Sequence, residues 1–175
     1  MTTTFTSSIA FREVVVSEGD GPPLVFLAFR HNRIVSLEAE RLRDDLVSRG
    51  VVAYRAMDDP RPGDSLPAKI ERWIERADGV VLFWSSQGSE SPAVRSEYEI
   101  AKRLGRKICL VKYRGVSPPS DWTETEWIEI HGVRKVAPSR VRGPPIIFVH
   151  PAWSRFADSV AAFARQARAE RQPRR

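Results

Sequence analysis

Four short apolar runs constrain this chain more than any other feature: LVFLAF at 24–29, VVAY at 51–54, GVVLFWS at 79–85 and KICLVKY at 107–113. Each is continuous and does not alternate apolar with polar residues. Strands read this way when helices cover both faces of a parallel sheet. The segments between them have helical periodicity. Val35, Ala39, Leu42 and Leu46 line one face over 33–49, and Gly50 is a natural stop. Leu66, Ile70, Trp73, Ile74 and Ala77 form a second stripe, and Val94, Tyr98, Ala101 and Leu104 a third. The third helix has a good start, because the Ser91 hydroxyl can cap it and Pro92 suits the first helical position. A strand and a helix recur about every 30 residues, as in βαβ units. The pattern predicts an α/β fold with a flavodoxin-like open parallel sheet flanked by helices. A C-terminal helix over 151–169 is expected from Trp153, Phe156, Val160, Phe163 and Ala167. Ligands of such sheets bind beyond the carboxyl ends of the strands.

The 175 residues suggest one domain. Residues 1–21 read as an irregular arm, with VVV at 14–16 as a short candidate strand. The domain is expected over 22–170, with its core at 24–113 and a C-terminal extension at 114–170. EWIEI and PPIIFV are candidate strands in that extension. Residues 171–175, RQPRR, are expected to be a disordered basic tail. No apolar run approaches the roughly 20 residues of a membrane span, and no secretory signal precedes the first strand. The one cysteine, Cys109, sits in the apolar run ICLV, reads as a buried thiol and fits a reducing cytoplasm. The net charge is +6, concentrated at 134–142 and in the six Arg of the last 25 residues. Such charge attracts anions, but neither zinc spacing nor an RNA-binding aromatic motif accompanies it. The expectation is a solvated basic tail, with no nucleic acid and no membrane as partner.

Several chemistries lack their parts. The chain has no Walker A loop, no GxGxxG after the first strand and no GxSxG elbow. His31, His131 and His150 show no metal spacing. What remains is a set of polar and aromatic groups at strand ends: Arg30, Tyr54 with the following DDPRPGD loop, Trp84, Ser85, Ser91 and Glu97. Glu97 is the oddity, because it lies three residues after Val94 and four before Ala101, inside the apolar stripe of its helix. Two readings stand. It is a carboxylate paired with an arginine such as Arg30 or Arg95, or it serves a glycosyl-type transfer as nucleophile, ribose ligand or oxocarbenium stabiliser.

The order of these segments resembles a Toll/interleukin-1 receptor (TIR) domain over about residues 24–113. VFLAFR resembles the first TIR box, DDPRPGDSL the loop after the second strand, and VVLFWSSQGSESPAVRSEYEIA the segment ending in S-x-W-V-x-x-E-x-x-x-A. The register matches at Ser91, Val94, Glu97 and Ala101. The resemblance implies that Glu97 is the catalytic carboxylate for cleaving NAD+ at the nicotinamide–ribose bond, with NAD+ as substrate and no bound cofactor. It implies that Phe29, Arg30, Tyr54, Trp84, Ser85 and Ser91 line the pocket. Ala28 departs from the usual Ser of the first box, and Ala93 from the Trp that often precedes the helix. Asp59 and Arg61 fall in a loop that often mediates TIR–TIR contacts. The implied protein is a cytoplasmic, stand-alone enzyme of the bacterial antiviral (Thoeris-like) kind, self-associating and making ADP-ribose or a cyclic ADP-ribose-type signal for a downstream effector. A non-catalytic TIR adaptor is a second reading. A nucleoside deoxyribosyltransferase-like enzyme, which shares the sheet and a glutamate nucleophile, is a third.

Overall fold

The computed structural model describes residues 21–30, 33–56, 63, 65–85, 91–113, 115–122, 126–130 and 151–171. The chain alternates β1 (Leu24–Ala28), α1 (Arg33–Val47), β2 (Val52–Arg55), α2 (Leu66–Arg76), β3 (Gly79–Trp84), α3 (Pro92–Arg103), β4 (Lys107–Tyr113), β5 (Glu126–Ile130) and α4 (Trp153–Arg171). The sheet order is β2-β1-β3-β4-β5, and every pair is parallel. This is the open α/β sheet the apolar runs predict. EWIEI is its fifth strand. The segments VVV and PPIIFV, the residues Asp59 and Arg61, and the arm at 1–20 lie outside the described residues.

The apolar runs are continuous because each strand feeds two cores. Val25, Leu27, Val81, Phe83, Cys109 and Val111 pack on one side with α1 and α4. Phe26, Ala28, Val80, Leu82, Trp84 and Leu110 pack on the other with α2 and α3. Right-handed crossovers dictate the layers. The step from β1 to β2 runs toward one edge of the sheet, so α1 lies on one face. The steps from β2 to β3, β3 to β4 and β4 to β5 run the other way, and their connections share the opposite face. The β4–β5 connection obeys this rule: Val116 and Trp122 pack into the α2–α3 core. Its described residues, 115–122, contain no helix.

Gly50 ends α1 as expected, at φ +72°, while the Val51 N–H donates to the Leu46 carbonyl at 3.0 Å. Two corrections concern helix ends. Ser91 is the N-cap of α3 and Pro92 follows it, but the Ser91 side chain makes no capping hydrogen bond. Two arginines in the last turn of α4 are not solvated tail residues. Arg168 donates to the Pro22 carbonyl at 3.0 Å, and Arg171 to the Arg76 carbonyl at 2.8 Å. Both also lie 3.4 Å from the buried carboxylate of Asp78, which accepts the Leu24 N–H at 2.8 Å. The helix therefore continues through Arg171, into the segment expected to be disordered, because guanidinium groups bolt its end to the amino edge of the sheet. The other end of α4 is fixed by the Trp153 indole N–H, which donates to Asp45 at 2.6 Å.

Candidate functional site

The carboxyl ends of β1, β3 and β4 and the start of α3 frame the site. β3 ends at Trp84, half-buried Ser85 follows, and α3 starts beyond. Glu97 is the sixth residue of α3, roughly 8 Å along the axis from its start. Its neighbours on the same stripe, Val94 and Ala101, are fully buried. Glu97 is carried inward with them, to 6% exposure. Its Oε2 is buried without a hydrogen-bond partner. Among the described residues no ion pair joins it to Arg30 or Arg95, so the paired reading does not describe this side chain. Burial pushes its carboxyl up to about 8, because the charged form loses its water.

A second buried carboxylate shows the contrast. Glu38 lies three residues after Val35 and four before Leu42, the same placement within the α1 stripe, and is 1% exposed. It accepts a hydrogen bond from the Tyr113 hydroxyl. Burial, and then the neighbouring Glu38 charge and hydrogen bond, raise the Tyr113 phenol well above its ordinary value. The stripe pattern that singles out Glu97 is equally present at Glu38. Only the structure separates the partnered carboxylate from the unpartnered one.

The implied pocket residues fall into three groups. Trp84 lies on the α3 side with Glu97, but its indole N–H donates to the Ser117 carbonyl at 3.0 Å and it is 2% exposed. Ser91, half-buried, heads the same helix. Tyr54 is half-buried on this side of the sheet and stacks on Trp73 with ring centroids 4.1 Å apart. Phe29 belongs to the opposite layer, where its ring meets Phe83 edge-on at 6.2 Å. Arg30, at the end of the described β1 segment, is exposed. Ala93 is exposed on α3.

Trp122, packed against the helix that carries Glu97, is a buried aromatic that the sequence pattern does not single out. It stacks on Tyr98, the residue after Glu97, at 3.9 Å and 16°, and tilts against Trp84 at 4.6 Å. Its indole nitrogen is buried with no partner. The available signal is a lone aromatic in the polar run PPSDWTET, where exposure would be costly. Among the described residues, no group of three His, Cys, Asp or Glu is placed to hold a metal ion, and no helix is long and apolar enough to cross a membrane.

The fold and site define a class: a flavodoxin-like α/β domain with an unpartnered buried carboxylate on the helix after its third strand. Within that class the chain belongs to the TIR-domain family, whose model matches residues 25–142, more than half of the chain. No curated protein matches the sequence. Among solved structures, it is similar to the TIR domains of the activated Roq1 resistosome directly recognizing the pathogen effector XopQ, at 20% identity and TM-score 0.46. That match covers 52% of this chain and 57% of the other, so the chain spans little more than half the length of that relative. It is also similar to a 2-deoxyribosyltransferase from Bacillus psychrosaccharolyticus, at 13% identity and TM-score 0.53, covering 61% of this chain and 86% of that one. A CMP N-glycosidase from Clostridium botulinum, BcmB, matches at 18% identity and TM-score 0.45 over 61% and 88%. The likeness to the transferase is one of fold, whereas the family match is to TIR domains.

Proposed function

We propose that this TIR domain cleaves NAD+ at the nicotinamide–ribose bond, with Glu97 as the catalytic carboxylate. The observation that carries the reading is the placement of Glu97: buried on the stripe of α3 and without a partner for Oε2. Leaving a buried carboxyl oxygen unpaired costs on the order of 1–3 kcal/mol. A ligand that supplies the missing partner offsets that cost. NAD+ suits the site because its nicotinamide ring is cationic, and a cation beside Glu97 favours the ionised carboxylate. The C1′–N1 bond breaks with its electron pair going to the ring nitrogen, so nicotinamide leaves neutral and needs no general acid. The carboxylate stabilises the ribosyl cation or bonds to it. Water then gives ADP-ribose and a proton. Attack by an atom of the same molecule gives a cyclic isomer.

Tyr54, Trp84, Ser85, Ser91 and Arg30 are proposed to line this pocket. Phe29, on the far side of the sheet, contributes through the position it gives the end of β1. Self-association of TIR domains, a downstream effector that reads the product, and a role in bacterial antiviral defence belong to the same reading. The test is NAD+ turnover by chromatography at high protein concentration with a crowding agent. Nicotinamide is expected from the parent chain, with at least a hundredfold less from Glu97→Ala. Equal release by both would remove Glu97 from the chemistry. Absence of release by either, with both folded and self-associated, would favour the scaffold reading. One observation supports that second reading: Glu97 is nearly closed off in the single chain.

A further inference from the structure

The connection between β4 and β5 carries a buried group that the chemistry above leaves unused. Topology places this connection on the α2–α3 face, and two contacts pin it to Trp84 and to Tyr98, the residue after Glu97 on α3. The Ser117 carbonyl accepts the Trp84 indole N–H, and the Trp122 ring stacks on Tyr98. Trp122 is 2% exposed, yet its indole N–H has no acceptor. Packing alone is satisfied by a phenylalanine, which carries no donor to desolvate. Two buried orphans therefore occupy one layer, a donor on Trp122 and an acceptor on Glu97, linked through Tyr98. An indole nitrogen only donates, so its partner must be an acceptor. Within nicotinamide riboside, the ring carboxamide oxygen is the strongest neutral acceptor, and it belongs to the group that leaves from beside Glu97.

We propose that Trp122 is a substrate-binding residue of the Glu97 site, its indole N–H donating to the carboxamide oxygen of the nicotinamide ring. The inference rests on the NAD+ reading above. It assigns ring recognition to the β4–β5 connection, while Glu97 acts at the ribose.

The test uses the full chain carrying Glu97→Gln, so that NAD+ is bound without turnover. Calorimetry compares Trp122 with Trp122→Phe, which keeps the stack on Tyr98 and removes the donor. NAD+ affinity is expected to fall about three- to tenfold, the worth of one hydrogen bond. Affinity for the pyridine analogue lacking the carboxamide is expected to be unchanged. In parallel, the indole N–H resonance that the substitution deletes identifies Trp122 in the Trp122-containing chain. That resonance is expected to move downfield on saturation with NAD+ and to stay in place with the analogue. Equal NAD+ affinity in both chains with an unmoved resonance overturns the proposal while leaving the role of Glu97 intact. Absence of NAD+ binding to the chain that retains Trp122 overturns the NAD+ reading and this inference with it. Should the phenylalanine variant fail to fold, the Trp122 indole resonance is assigned by triple-resonance spectroscopy of the Trp122-containing chain and decides alone.

Discussion

A carboxyl that titrates near 8 when folded and near 4.5 when unfolded holds its proton more tightly in the native state. The unfolded chain therefore gains from ionisation first. The stability cost is absent at pH 4, grows as pH rises above 4.5, and is complete above 8. Every pH unit between those two titration points is worth about 1.4 kcal/mol, which water entry reduces in practice. Glu97→Gln is expected to match the parent chain at pH 4 and to exceed it by roughly 2–4 kcal/mol at pH 8.5, as read by denaturant unfolding at both. Parallel pH profiles would place the titration elsewhere. The same ionisation governs activity. If the carboxylate is the working form, kcat/KM for NAD+ rises about tenfold per pH unit below 8 and levels above it. A flat profile between pH 6 and 8 would contradict that assignment. Glu97 was legible in the sequence because it breaks an apolar stripe. Its lack of a partner was not legible, since Glu38 breaks its own stripe identically and finds Tyr113 across 75 residues of sequence.

The elements were legible because strands covered on both faces announce themselves as unbroken apolar runs. The layers they enter were less so. Phe29 and Glu97 were expected to share a pocket, but alternation along β1 sends Phe29 to the side of α1, away from Ala28. The crossover rule already implies this, because α1 and α3 connect strands in opposite directions. Trp122 was not legible because its connection has no periodicity to read. At the seam between β3 and α4, Gly79 permits a close approach. A Cβ there would lie 2.9 Å from the Phe163 ring and 3.2 Å from the Ala167 Cβ. Gly79→Ala is expected to destabilise the fold by about 1–3 kcal/mol, and Phe163→Leu in the same chain to restore part of the loss. If the single change is neutral by thermal unfolding, α4 does not seat against β3 as described.

For the molecule as a whole, α4 supplies the lid of one core. Trp153, Phe156, Val160 and Phe163 are buried against the sheet with α1. A chain ended after residue 150 leaves that layer open, and the expectation is a loss of cooperative unfolding, seen as a broad, featureless melt. A sharp transition in the shortened chain would show that α4 is dispensable. The basic surplus near the C-terminus also takes on a structural meaning at this scale. Charge counting could not separate solvated arginines from Arg165, Arg168 and Arg171, which donate to backbone carbonyls far away in sequence. The contact from Arg168 to Pro22 spans 146 residues. During synthesis, the entrance to the first strand therefore waits for nearly the last turn of the last helix. Until then the growing chain holds a sheet with one face covered by α1 alone, and the apolar surface left open is the kind that chaperones recognise and that neighbouring nascent chains can trap.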